Sequence, residues 1–190
     1  MRLLIMGPPG AGKGTQSATL ARHFGIPPIS TGAAFRAIVE RQTELGRRVE
    51  EIMLAGGLVP DDVTIQIVAE RLAEPDTEPG FLLDGFPRTV PQAEALDGIL
   101  DRLGTPLDAV LSLVVEPELL VRRMVKRAEI EHRADDNEET IRQRFAVYRE
   151  QTAPLLSLYR GRGVLTEVDG TGDVEVVGRR IIDALAAGGG

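Results

Sequence analysis

The chain has no cysteine and no tryptophan among its 190 residues. Without cysteine there is no disulfide, no thiolate zinc site and no thiol nucleophile. Aromatic residues make up only 4%, too few to build a base-stacking platform for single-stranded nucleic acid. A formal net charge of -7 argues against a broad surface for nucleic acid or anionic membrane, while leaving room for a local basic pocket. Long hydrophobic runs are missing too. Leu3–Met6 is too short for the core of a signal peptide and stops at Gly7-Pro8-Pro9-Gly10. Ala109–Val115, the next apolar-rich run, falls far below the roughly 20 residues of a membrane span. Lysine is the last scarcity: of 22 basic side chains, 20 are arginine and 2 are lysine, Lys13 and Lys126. What remains is ordinary for one globular domain, with 43% hydrophobic and 27% charged residues. The expectation is a cytoplasmic, monomeric enzyme or binding protein with no nucleic-acid or membrane partner.

Strands and helices alternate along most of the sequence. Short apolar runs at 3–6, 81–84, 109–115 and 164–168 read as strands, the third continuous enough to be covered on both faces. Helical patterns follow at 13–24, 91–103, 118–130 and 174–187. A long helix is expected from Asp136, whose Asp136-Asn137-Glu138-Glu139 resembles a capping box, toward Tyr159, bent near Pro154. Residues 31–73 break the alternation with helical segments punctuated at Gly46, Gly56-Gly57 and Pro60; Asp61 or Asp62 is positioned to cap the last. The pattern predicts an α/β fold, a parallel sheet with helices on both faces and a helical insertion.

The stretch MGPPGAGKGTQ, Met6–Gln16, places a glycine-rich turn between a strand and a helix. Several backbone N–H groups then converge, and the helix N-terminus adds about half a positive charge. Lysine supplies a compact, mobile cation for outer phosphates. Gly7-x4-Gly12-Lys13 fits the P-loop, although Gly14 holds the usual Ser/Thr position and Thr15 follows one later. A plain strand-to-helix turn with an incidental lysine is the competing reading, and spacing, strand and helix all count against it. The loop by itself leaves ATPase, GTPase, small-molecule kinase and regulatory switch open.

Three more stretches narrow the choice: ISTGAAFR at 29–36, LLDGFPRTVPQ at 82–92, and RRMVKR at 122–127 followed by Arg133 and Arg144. With GPPGAGKGTQ they resemble the adenylate kinases, in consistent order from about residue 1 to 185. The family itself uses the GKGT form. The resemblance implies a single P-loop domain over 1–190, a monophosphate-binding subdomain at 30–59 and a short lid at 127–133. It implies reversible transfer of the terminal phosphoryl group from ATP to AMP, giving two ADP, in adenine nucleotide homeostasis.

Residue roles follow from the same resemblance. Gly10, Ala11, Gly12, Lys13, Gly14, Thr15, Arg123, Arg127 and Gly172 would bind ATP, with Arg123 packed on its adenine. Thr31, Gly32, Arg36, Gly57, Leu58, Val59, Gly85, Phe86, Pro87, Arg88, Gln92, Arg133 and Arg144 would bind AMP. Lys13, Arg88, Arg127, Arg133 and Arg144 would carry the catalytic charge. Thr15 and Asp84 would face Mg²⁺ through water. Physical chemistry agrees: joining two phosphates needs positioning and neutralisation, and arginine forks supply both. Arg123 and Arg127, four apart, share a helix face.

Thr31 and Gln92 are the pair expected for adenine, since an amide offers a donor and an acceptor to a base edge. The chain departs from the family's common pattern at Ala33, Ala34 and Gly57, which bears on the tuning of AMP affinity. No zinc is expected, because the lid lacks cysteine. His23 and His132 carry no partner pattern, and Glu129, Glu131, Asp135 and Asp136 read as helix-end capping. A UMP/CMP or other nucleoside monophosphate kinase is the alternative within the class. A nucleotide-binding regulator without activity is the alternative outside it, disfavoured because Lys13, Arg36, Arg88 and Arg127 are all present.

Overall fold

A computed structural model describes residues 1–131 and 137–188. Five strands, β1 (Arg2–Met6), β2 (Pro28–Ser30), β3 (Phe81–Asp84), β4 (Ala109–Val114) and β5 (Leu165–Asp169), form one parallel sheet in the order β2-β3-β1-β4-β5. Side chains alternate across β1. Leu3 and Ile5 pack with Leu20, Leu111 and Ile181 on one face, while Leu4 and Met6 pack with Leu83, Leu96 and Tyr159 on the other. Burying such a leucine contributes about 1.5–3 kcal/mol. Covering both faces explains why β4 is apolar almost throughout.

The helices that cover those faces are α1 (Lys13–Phe24), α4 (Asp61–Leu72), α5 (Val90–Leu103), α6 (Pro117–Glu131), α8 (Pro154–Gly161) and α9 (Val174–Gly188). Between β2 and α4 lie α2 (Thr31–Glu40) and α3 (Glu44–Leu54), which interrupt the alternation as expected. They have a small core of their own: Phe35, Val49 and Val59, flanked by Ile38, Ile52, Met53 and Ile67. The remaining helix, α7 (Glu138–Val147), ties to this unit through Thr140, whose hydroxyl donates to the Leu54 carbonyl at 2.8 Å.

Four local features differ from the expectations. β2 was not foreseen; it is three residues long and begins at Pro28, a residue tolerated because the strand sits at the sheet edge. The break between α2 and α3 falls at residues 41–43, with Gln42 at φ 52°, and not at Gly46. Gly46 lies inside α3, where a Cβ would stand 2.7 Å from the Ile38 carbonyl oxygen; it is there so that two helices can touch. Neither Asp61 nor Asp62 caps α4, whose N-cap is Pro60, because the Asp61 carboxylate is engaged by Thr89 and Gln92 instead. The long helix is divided: a π-helical turn at Tyr148–Thr152 precedes Pro154, and the Ala153 N–H reaches back to the Tyr148 carbonyl. At the start of α7 the cap is Asn137, whose side chain accepts from the Thr140 N–H at 3.0 Å. Asp136 lies outside the described residues, as do His132, Arg133 and Asp135.

The chain leaves β1 for β2 and β3 on one side, then crosses to β4 and β5 on the other. The crevice at the carboxyl ends of the strands is therefore a topological switch point, where α/β sheets bind ligands. The loops after β1, β3 and β5 open there, as does the start of α2, which follows β2 directly.

Candidate active site

The loop after β1 turns into α1 at Gly12, the N-cap, with φ 92° and ψ 14°. That left-handed conformation is cheap only for glycine. No side chain caps the helix, so its N-terminus is left to a ligand. Lys13 folds back over the loop and donates to the Gly7 and Pro8 carbonyls at 2.9 and 3.0 Å. Burial in the crevice lowers its pKa to about 8; the Asp84 carboxylate opposes that shift, while Arg88, Arg144 and Arg127 reinforce it. Arg88 is likewise pushed below the usual arginine range, first by burial and then by the Arg144 charge. Among the described residues, Arg88, Arg127 and Arg144 act on Lys13 together with one carboxylate, Asp84. Such a concentration of positive charge suits anionic groups.

Two adjoining clefts meet at this point. The first is lined by Phe35, Arg36, Gly57, Leu58, Val59, Phe86, Pro87 and Gln92. The second is lined by Gly10–Thr15, Asp84, Arg123, Lys126, Arg127 and Gly172. Gly32, Gly85, Lys13, Arg36, Arg88 and Arg144 border both. Arg123 reaches across the second cleft, from the Ala11 carbonyl at 3.5 Å to the Gly170 carbonyl at 3.1 Å. Asp84 ends β3 next to Gly14, where a Cβ would lie 3.6 Å from its Oδ2. In the first cleft, Arg88 is braced by its own turn, Nε donating to the Gly85 carbonyl at 2.9 Å.

The expected site residues within the described chain thus converge, with two refinements. Thr31 lines neither cleft; it is 2% exposed, and its hydroxyl donates to the Gly85 carbonyl at 2.9 Å, bracing the turn that carries Arg88. Gln92 is equally buried, and its amide is held at both ends, by Asp61 and by the Arg88 N–H. Arg133, expected in both the lid and the AMP site, lies outside the described residues. Sequence reasoning missed Met53, Thr64 and Tyr148 in the first cleft and Lys126 in the second. Lys126 had a readable sign: it lies one helical turn from Arg123.

A phosphate-binding loop at the switch point of a parallel sheet, opening on two clefts that share their cations, defines a phosphotransferase acting between two phosphorylated ligands. The comparisons with known proteins make this specific. The adenylate kinase family model matches residues 5–164. The chain is 55% identical over 185 residues to an adenylate kinase of Thermobifida fusca (strain YX), covering 97% of this chain and 98% of that one. It is 54% identical over 185 residues to one of Nocardioides sp. (strain ATCC BAA-499 / JS614), covering 97% of each. It is 49% identical over 187 residues to one of Stenotrophomonas maltophilia (strain K279a), covering 98% of this chain and all of that one. The chain belongs to the adenylate kinase family.

Proposed function

We propose that the chain transfers the terminal phosphoryl group of ATP to AMP, reversibly, giving two ADP. The observation that carries this reading is the pair of clefts sharing Lys13, Arg36, Arg88 and Arg144. Two phosphate chains entering from opposite sides would meet over Lys13. An AMP phosphate oxygen attacks the γ-phosphorus in line, one P–O bond forms, and the bond to the β-phosphate oxygen breaks, releasing ADP. No side chain is covalently modified. Lys13, Arg88, Arg127 and Arg144 neutralise the charge on the moving group; Arg133 and the end of the short lid at 127–133 lie outside the described residues. Such fixed charges in a water-poor site supply much of the catalysis.

ATP occupies the second cleft, on Gly10, Ala11, Gly12, Gly14 and Thr15, with Arg123 and Gly172 toward its adenosine. AMP occupies the first, between Arg36, the 57–59 backbone and Gln92, so residues 30–59 form the monophosphate-binding subdomain. Thr31 acts through the Gly85 turn that it holds.

Mg²⁺ fits the second cleft. The Asp84 carboxylate and Thr15 hydroxyl are hard oxygen donors, and no cluster of three or more acidic, His or Cys side chains exists among the described residues. Few protein ligands suit an ion that keeps its waters and takes its other oxygens from phosphates. Asp84 and Thr15 would hold it through water, and its charge would help to neutralise the phosphates. No zinc is needed, and the enzyme works as a cytoplasmic monomer. None of the helices among the described residues is long and apolar enough to cross a membrane.

A coupled assay of ADP formation with AMP, CMP, UMP and GMP tests the reading. AMP is expected to be strongly preferred; preference for UMP or CMP would replace it with the pyrimidine alternative. Two adenosines joined by a pentaphosphate should fill both clefts at once. At about a hundred times its Kd that compound adds roughly 2.7 kcal/mol of stability, seen as a larger rise in Tm than the same concentration of ATP produces. Equal shifts would leave the chain with one nucleotide site.

A further inference from the structure

We infer that Asp61 is the positioning residue that sets base preference in the monophosphate cleft, by fixing which end of the Gln92 amide faces the base. The inference rests on the monophosphate-kinase reading above. Asp61 belongs to no phosphate-binding motif and opens α4, half-buried. One of its oxygens accepts from Gln92 Nε2 at 2.7 Å. Both of them lie 3.1 Å from the Thr89 hydroxyl, which donates to the carboxylate. That hydroxyl also accepts from the Gln92 backbone N–H at 3.3 Å, so Thr89 couples the carboxylate to the first turn of α5. On its other side Gln92 Oε1 accepts from the Arg88 N–H at 2.8 Å.

These partners leave the amide one orientation. A carboxylate accepts and does not donate, and a backbone N–H donates and does not accept. Turning the amide over would set Oε1 against the Asp61 oxygens and the Nε2 hydrogens against the Arg88 N–H. Gln92 is 2% exposed, so water cannot relieve either clash. With one N–H and one lone pair used, the amide keeps one N–H and one lone pair for the cleft that it lines.

That remaining pair discriminates between bases. A 6-aminopurine offers a ring-nitrogen acceptor at N1 and an amino donor at C6, which match the Nε2 donor and Oε1 acceptor. A 6-oxopurine offers the reverse, an N1–H donor and a carbonyl acceptor, and would require the forbidden flip. Sites built this way reject the wrong ligand by leaving buried polar groups unpaired. The 4-aminopyrimidine edge of CMP has the same polarity as AMP, so the lock excludes oxo bases and leaves AMP over CMP to the shape of the cleft.

The test is steady-state kinetics of the full chain and of Asp61→Asn and Asp61→Ser, with AMP, CMP and IMP. Each variant replaces an obligate acceptor with a group that can also donate, which removes the stronger, charge-assisted of the two constraints on the amide and leaves the Arg88 N–H as the other. The ratio of kcat/KM for AMP to that for IMP is expected to fall about tenfold or more, since a charge-assisted contact to a buried amide is lost. The change should appear in KM, with kcat for AMP within about threefold of wild type, as for a binding contact made equally in ground and transition states. The AMP-to-CMP ratio and KM for ATP should stay as they are. An unchanged AMP-to-IMP ratio in either folded variant, or a loss falling equally on all three monophosphates, makes Asp61 a merely structural residue and overturns the inference. Wild-type protein that forms no ADP from ATP and AMP refutes the kinase reading itself; active wild type with an unmoved ratio refutes only the role of Asp61.

Discussion

The two clefts are built differently. The second cleft, the proposed triphosphate side, is mostly one contiguous stretch, Gly10–Thr15, where Gly14 and Thr15 are exposed. Arg123, Lys126 and Arg127 reach it from a single helix, α6. The monophosphate side draws on α2, the 57–59 segment, the 85–88 turn, α5 and α7, and its key groups Val59, Phe86 and Gln92 are buried. On the reading proposed above, backbone and cations meet what every nucleotide shares, its phosphates, and buried side chains with fixed partners meet what differs, the base. Generality is local in this sequence, and identity is long-range.

The largest effect belongs to the shared wall, which ignores that division. Lys13→Ala and Arg88→Ala should each cut turnover by about 10²–10³-fold, as loss of a transition-state charge contact does. Near wild-type turnover in either folded variant would move the chemistry away from the meeting point.

A smaller pair of effects sharpens the comparison. Arg36→Ala should raise KM for AMP by about tenfold or more, and Arg123→Ala should do the same for ATP, each leaving the other substrate nearly unchanged. Initial-rate measurements with one substrate saturating read this directly. Equal effects on both substrates in either variant would erase the division between the clefts.

The smallest effect is in pH. The Lys13 pKa of about 8 means that, without phosphate bound, about half of the molecules have lost this cation by that pH. Affinity for ATP should weaken as pH rises through 8, by at most about tenfold per unit. Bound phosphates favour the ammonium, so saturating ATP should push the break upward. The sign for folding is opposite. The charged lysine costs stability below pH 8, and that cost fades between 8 and the ordinary lysine value of 10.5, where the unfolded chain holds more protons. Isothermal titration across pH 7–9 would show a flat affinity if Lys13 stays charged throughout.

The same asymmetry governs what the sequence made legible. α1 runs over Lys13–Phe24 and β3 over Phe81–Asp84, as the pattern alone predicts, because neighbouring residues decide both. The phosphate loop is legible for the same reason. β2 is not: three residues starting with proline become a strand only because β3 lies beside them. Asp61 has the position of a helix cap, yet its carboxylate answers to Thr89 and Gln92, 28 and 31 residues away in sequence. Thr31 was expected on AMP, and its own hydroxyl prefers a carbonyl 54 residues on. Periodicity and motif describe a residue's neighbours along the chain. They are silent where a polar group's partner comes from another element.

Gly46 illustrates how far such a position can reach without any functional group. A methyl there would stand 2.7 Å from the Ile38 carbonyl oxygen. Relief would force α3 away from α2, the helix that bears Arg36. Overpacking of this kind typically costs about 1–3 kcal/mol. In a saturation scan scored by growth, Gly46 would therefore tolerate as little as a residue that touches phosphate. Ranking positions by fitness alone would place a hydrogen atom among the ligands, and only its geometry reveals it as the spacer that keeps an arginine in reach.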